Sequence, residues 1–182
     1  MSVFTNPAGA SKAQAAEYIA AVLGLLGDRD PLEVLHATPA ALAAVTDALP
    51  AAALARPEAE GQWSIRHLAQ HLADSELVWG WRVRLVLAQD RPPLTGYDQD
   101  RWADRLHYER ADAVRAARDF AMLRAANLRL IEAASPADLA RVGVHAERGE
   151  ESLTHMIRLY AGHDLLHLNQ LERIRQAVTG RR

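Results

Sequence analysis

Between Leu153 and Val178, apolar residues recur in steps of three and four: Leu153, Met156, Tyr160, then Leu171, Ile174 and Val178. A helix turns about 100° per residue, so this run lies on one face, and a stripe of that width is buried against other helices. The two positions that complete it are His163 and His167. Four residues separate them, which is about 40° of rotation and one turn, so two imidazoles can reach one ion. The charged face of the same helix carries Arg158, Glu172 and Arg173. The chain must therefore build a long helix that turns two histidines toward a bundle interior. Two readings stay open: a pair of metal ligands, or two hydrogen-bonded core histidines.

A second pair with the same spacing, His67 and His71, lies in the segment that Ser64 opens as a cap and that runs to about Ala88. Its stripe reads Ile65, Leu68, Leu72, Trp79, Val83 and Val86. His71 lies about 80° from the centre of that stripe and His67 about 120°. His71 is the better third ligand and His67 the poorer one. Glu76 lies about 60° from the centre and suits an inter-helix ion pair with an arginine; Arg82 and Arg84 are near in sequence. Asp164 and Gln170 flank the histidine pair, and either can orient an imidazole, although a surface position is the simpler expectation for Asp164. The Trp79/Trp81 pair suits packing. His145 and His155 read as a loop residue and a helix-surface residue.

The remaining elements are also helical. Ser11 can cap a helix to about Leu26. Pro31 suits the first turn of a short helix through His36, and Thr38-Pro39 opens another to Leu49. Gln89 to Tyr108 contains Pro92, Pro93 and Gly96. A link that long suits a crossover between two parallel helices, because short loops make antiparallel neighbours; Tyr97 and Trp102 can pin it to the bundle. Glu109 to Ala133 is a third long helix, with Val114, Ala117, Ala121, Ala125 and Leu128 on its stripe. Ser135-Pro136 caps a short turn, Arg141 to Gly149 reads as irregular, and the last helix spans Glu151 to Val178. With no repeat and no linker, residues 1–182 form one all-α domain, a four-helix bundle with shorter N-terminal helices.

Composition narrows the chemistry. The chain has no cysteine, which removes disulfides, thiolate ligands and a cysteine nucleophile. A net charge of −2 argues against a general nucleic-acid binder. The apolar stretch from Tyr18 to Gly27 is too short to span a bilayer and lacks a basic leader, so a cytoplasmic protein is expected.

Three stretches, Trp63-Ser64-Ile65, His71-Leu72-Ala73-Asp74-Ser75-Glu76 and Gly162-His163-Asp164-Leu165-Leu166-His167-Leu168-Asn169-Gln170, resemble the DinB/YfiT-like superfamily in order and spacing. Pro92 to Asp98 and His145 to Gly149 resemble its connecting regions, and the likeness covers roughly residues 30–178. The resemblance implies up-down-down-up topology with a long crossover. It also implies a divalent metal (Zn, Ni or Fe) on His71, His163 and His167, and a homodimer. The function it implies is a metal-dependent thiol S-transferase, using a low-molecular-weight thiol such as bacillithiol, or a hydrolase acting on a small molecule. The alternative is a non-catalytic stress protein that binds a metal or a small ligand.

Overall fold

A computed structural model describes residues 12–180. Along the chain, α1 (Lys12–Leu26) leads to α2 (Pro31–Ala48), the short α3 (Ala51–Leu54) and α4 (Ile65–Ala88). A crossover follows, holding β1 (Pro93–Leu94), α5 (Gln99–Arg105) and a 3-10 turn at Tyr108–Arg110. Then come α6 (Ala113–Glu132), α7 (Pro136–Leu139), the strands β2 (Val142–His145) and β3 (Gly149–Ser152), and α8 (Leu153–Thr179). Side-chain caps set the starts of the long elements: Asp30, Ser64, Asp112 and Ser152 each accept a backbone N–H from the turn they open. No helix among the described residues is long and apolar enough to cross a membrane.

Helices α2, α4, α6 and α8 form the four-helix bundle, with α1 against α8. Arg66 reaches Glu109, Glu76 reaches Arg124, and Gly80 lies under Asn127. These pairs climb together in sequence, so α4 and α6 are parallel and the crossover joins them as expected. On α4 and α8 the order reverses, His71 meeting His167 while Ser75 meets Tyr160, so those two are antiparallel.

The core falls into two apolar clusters. One holds Leu42, Leu68, Leu72, Phe120 and Ile174; the other holds Leu35, Trp79, Val83, Leu128 and Met156. Polar residues separate the clusters on each of three helices: Glu76 on α4, Arg124 on α6, and Asp164 and His167 on α8, all buried. A polar layer thus crosses the bundle at mid-height, and it is the layer from which the site is built.

Four elements differ from the reading of the sequence. Residues 31–48 form one helix, with Pro39 inside it. Proline lacks the N–H that would bond the Leu35 carbonyl, and Arg124 Nη1 donates to that carbonyl instead, at 2.7 Å. The helix from α6 starts at Ala113 under an Asp112 cap, later than Glu109, and its buried face carries Phe120, Arg124 and Asn127 while Ala125 is exposed. The crossover contains a helix of its own, capped by Asp98. Residues 142–152 form a hairpin, with β1 parallel to β2 and β2 antiparallel to β3. The cap expected at Ser11 lies outside the described residues.

Two close approaches need glycine. A Cβ on Gly162 would lie 2.2 Å from the Val22 carbonyl oxygen, so α1 rests directly on α8 beside His163. A Cβ on Gly80 would lie 2.4 Å from the Asn127 amide.

Candidate metal centre

His71 comes from α4 and His163 and His167 from successive turns of α8. Their Nε2 atoms form a triangle of 3.4 Å (His71 to His163), 3.2 Å (His71 to His167) and 3.1 Å (His163 to His167). His71 and His167 are 1% and 2% exposed, while His163 is half-buried. The side chains around them fix the rings. The Trp63 ring lies 5.0 Å from His71, and Tyr160 stacks between Trp79 and His163 at 4.3 and 5.1 Å.

Gln170 Oε1 lies 3.0 Å from His167 Nδ1. An amide oxygen only accepts, so Nδ1 carries the proton and the Nε2 lone pair points at the other two histidines. Burial, with the facing imidazoles, lowers the His71 pKa well below its ordinary value and that of His167 to about 3. The Nδ1 atoms of His71 and His163 are buried without a hydrogen-bond partner among the described residues. His163 Nδ1 lies 3.9 Å from the Asp164 carboxylate, too long for a hydrogen bond but close enough for attraction.

The residues fit a metal ion. Three nitrogens bound to zinc at ordinary length in a tetrahedral site stand about 3.3 Å apart, and the triangle here has sides of 3.1 to 3.4 Å. These three are the group of metal-ligating side chains that the described residues bring together. His67 stays outside: its Nδ1 pairs with Ser64 Oγ at 2.8 Å.

A second polar centre lies alongside. Arg124 is 1% exposed. Its Nε donates to Glu76 at 3.0 Å, and Nη1 and Nη2 donate to the two Asp164 oxygens at 2.7 and 3.1 Å. Asn127 supplies Glu76 with a further donor at 2.8 Å. The guanidinium lies 4.8 Å from the Phe120 ring and 5.3 Å from Tyr160. Burial opposes its charge, but the carboxylates of Asp164 and Glu76 outweigh burial and raise its pKa. Burial raises the pKa of Glu76 and works the same way on Asp164, where Arg124 outweighs it and the net shift is downward. Glu76 therefore pairs with an arginine as expected, but with Arg124 rather than Arg82 or Arg84, and Asp164 is a core acid rather than a surface one. His145 is likewise no loop residue: it ends β2 and is 2% exposed. Trp81 is exposed.

His71 and His163 line a cavity of about 100 Å³. Its other walls come from α1 (Tyr18), the crossover (Tyr97, Gln99) and the hairpin (His145, Arg148). The rings of Tyr97 and Trp102 are 4.5 Å apart within the crossover, Trp102 packs against Trp63, Ala103 and Tyr108, and the Tyr108 hydroxyl donates to Asp74 of α4 at 2.5 Å.

The model of the DinB superfamily matches residues 35–171. The chain belongs to the DinB superfamily. Among similar proteins, a candidate metal-dependent hydrolase of Oceanobacillus iheyensis is 30% identical over 111 residues, 59% of this chain and 62% of that protein. The chain thus spans less than two thirds of that relative's length. The YfiT protein of Bacillus subtilis, also named as a candidate metal-dependent hydrolase, is 30% identical over 81 residues, 44% of this chain and 46% of its own. Its solved structure, described as an unusual four-helix bundle, superposes with a TM-score of 0.75 at 22% identity, covering 94% of this chain and 90% of that one. The DinB bundle is therefore the fold of this chain as well.

Proposed function

We propose that this DinB protein is a metal-dependent enzyme whose divalent ion sits on His71, His163 and His167 and activates a small thiol, or water, for thiol transfer or hydrolysis. The meeting of three Nε2 atoms beside a cavity that His71 and His163 line carries this reading. Three protein ligands leave a coordination position open, as catalytic sites do, whereas structural sites are closed by four. His67, the nearest further histidine in sequence, is turned to Ser64. An ion held there supplies positive charge that lowers the pKa of a thiol or water at neutral pH.

The chain's own residues do the rest. Gln170 holds His167 in the tautomer that presents Nε2. Asp164 places negative charge behind His163. Trp63 and the stacked Trp79 and Tyr160 close two sides against water, which strengthens electrostatic interactions in the site. Without cysteine in the chain, any attacking sulfur belongs to a bound small molecule. The relatives named as metal-dependent hydrolases support the hydrolytic branch. A homodimer and a cytoplasmic setting complete the proposal.

The test is turnover by protein loaded with Zn, Ni or Fe. Monochlorobimane with added thiol reads the transfer branch, and nitrophenyl acetate without thiol reads the hydrolytic one. Metal-dependent turnover of either, lost in His71→Ala, supports the enzyme. Thiol binding with no turnover of either would leave the non-catalytic, ligand-binding alternative.

A further inference from the structure

The cavity has a second set of polar groups, away from the histidine triangle. Arg82 lines it from α4, Gln99 from α5 and His145 from β2. Arg82 Nη2 donates to the Thr95 carbonyl, but its Nε is buried with no partner among the described residues. Nor does Arg82 form an ion pair with a carboxylate among them. Its neighbour Arg148 differs, being held by both oxygens of Glu151 at 2.5 and 2.9 Å. Gln99 Nε2 is also buried and without a partner there, and so is His145 Nε2. His145 Nδ1 accepts the Glu147 backbone N–H at 3.2 Å, so its proton resides on Nε2. Burial, with Arg148 and Arg82 nearby, lowers the His145 pKa to about 4, so the ring is a neutral donor.

Three residues that line one cavity therefore have buried N–H donors without acceptors among the described residues, one of them on a guanidinium that forms no carboxylate ion pair there. Buried donors are almost always satisfied, and a guanidinium accepts a planar carboxylate in matching geometry. We infer that Arg82, Gln99 and His145 form a carboxylate subsite, which selects a carboxylate-bearing small molecule and directs its reacting group to the three histidines. A monoanion suits this wall better than a phosphate dianion, because Glu147 and Glu151 already place negative charge in the same cavity. This inference rests on the reading of the histidine centre as the reactive end of the cavity, while the subsite itself needs no metal.

The test uses metal-free protein and two probes of one shape, 3-mercaptopropionate and its uncharged amide. Nitrogen-15 NMR follows the Arg82 Nε–H resonance, and calorimetry gives affinities. The expected result is a saturable shift of that resonance by the acid, with the amide binding at least about tenfold more weakly. Arg82→Gln should erase that preference, and Gln99→Leu should weaken the acid severalfold; thermal melts of both variants confirm folding. Equal binding of acid and amide, or a preference unchanged in Arg82→Gln, overturns the subsite. Repeating the titration in His167→Ala separates the two readings: carboxylate binding that survives there stands whether or not the wild type holds metal. Metal uptake without a carboxylate preference removes the subsite alone.

Discussion

Two buried polar centres share the middle of this bundle, and they solve the problem of burial in opposite ways. Around Arg124, a cation meets two carboxylates and a backbone carbonyl, and the donors on Nε, Nη1 and Nη2 all have partners. Around His71, His163 and His167, three rings of one kind face one another, and two of their Nδ1 atoms have no hydrogen-bond partner among the described residues. The first centre is complete within the chain. The second leaves polar atoms without a partner among the described residues. Since Asp164 joins both, the complete centre also fixes the negative charge behind the incomplete one.

Breaking the complete centre should have the largest effect. Arg124→Met leaves Glu76 and Asp164 buried without their cation, which costs about 3 to 5 kcal/mol. His167→Leu in metal-free protein should cost less, about 1 to 3 kcal/mol, because it relieves a facing imidazole but leaves the buried Gln170 oxygen without its donor. Urea denaturation of the two variants reads the contrast, and equal losses would erase it. The next effect separates the centres by function. Gln170→Leu frees His167 from its tautomer and should weaken metal binding about 10- to 100-fold, measured by competition with a chromophoric chelator; an unchanged affinity would remove Gln170 from the site.

A further effect is a slope with pH. His71 and His167 are neutral in the fold, with pKa values below that of the unfolded chain. The unfolded state binds more protons once pH falls below about 6.5. Metal-free protein should therefore hold its full stability above that pH and lose it as pH falls toward about 3, the lowered His167 value. The slope is at most about 1.4 kcal/mol per pH unit for each such imidazole. Denaturation at pH 7 and pH 5 measures it, and a slope unchanged in His71→Leu would show that His71 does not contribute.

The two centres also differ in how far the sequence reveals them. The histidine centre is legible because His163 and His167 occupy unbroken positions in an apolar stripe, and an angular count favours His71 over His67. The Arg124 centre is not. An arginine in a helix, here between Leu123 and Ala125, reads as solvated, and its partners lie on three other helices, so no local spacing marks it. The middle of the α6 stripe is displaced accordingly, from Ala121 and Ala125 to Phe120, Arg124 and Asn127, while Ala117 and Leu128 are buried as expected. The same contact hides the continuity of α2, since the carbonyl that Pro39 leaves free is satisfied only from α6. The hairpin escapes for a different reason: its two strands have four residues each, too few for a period of two to stand out. From the sequence His145 therefore reads as a loop residue, although it helps to build the cavity wall.

The central claim, that the histidine triangle is a metal centre, is tested most directly by metal content. Wild type, His167→Ala and His67→Ala, purified without tag or chelator, would be measured by inductively coupled plasma mass spectrometry, with reconstitution in Zn, Ni and Fe. The account predicts about one ion per chain in the wild type and in His67→Ala, and none in His167→Ala. No bound metal in the wild type after reconstitution, or full retention in His167→Ala, would contradict it.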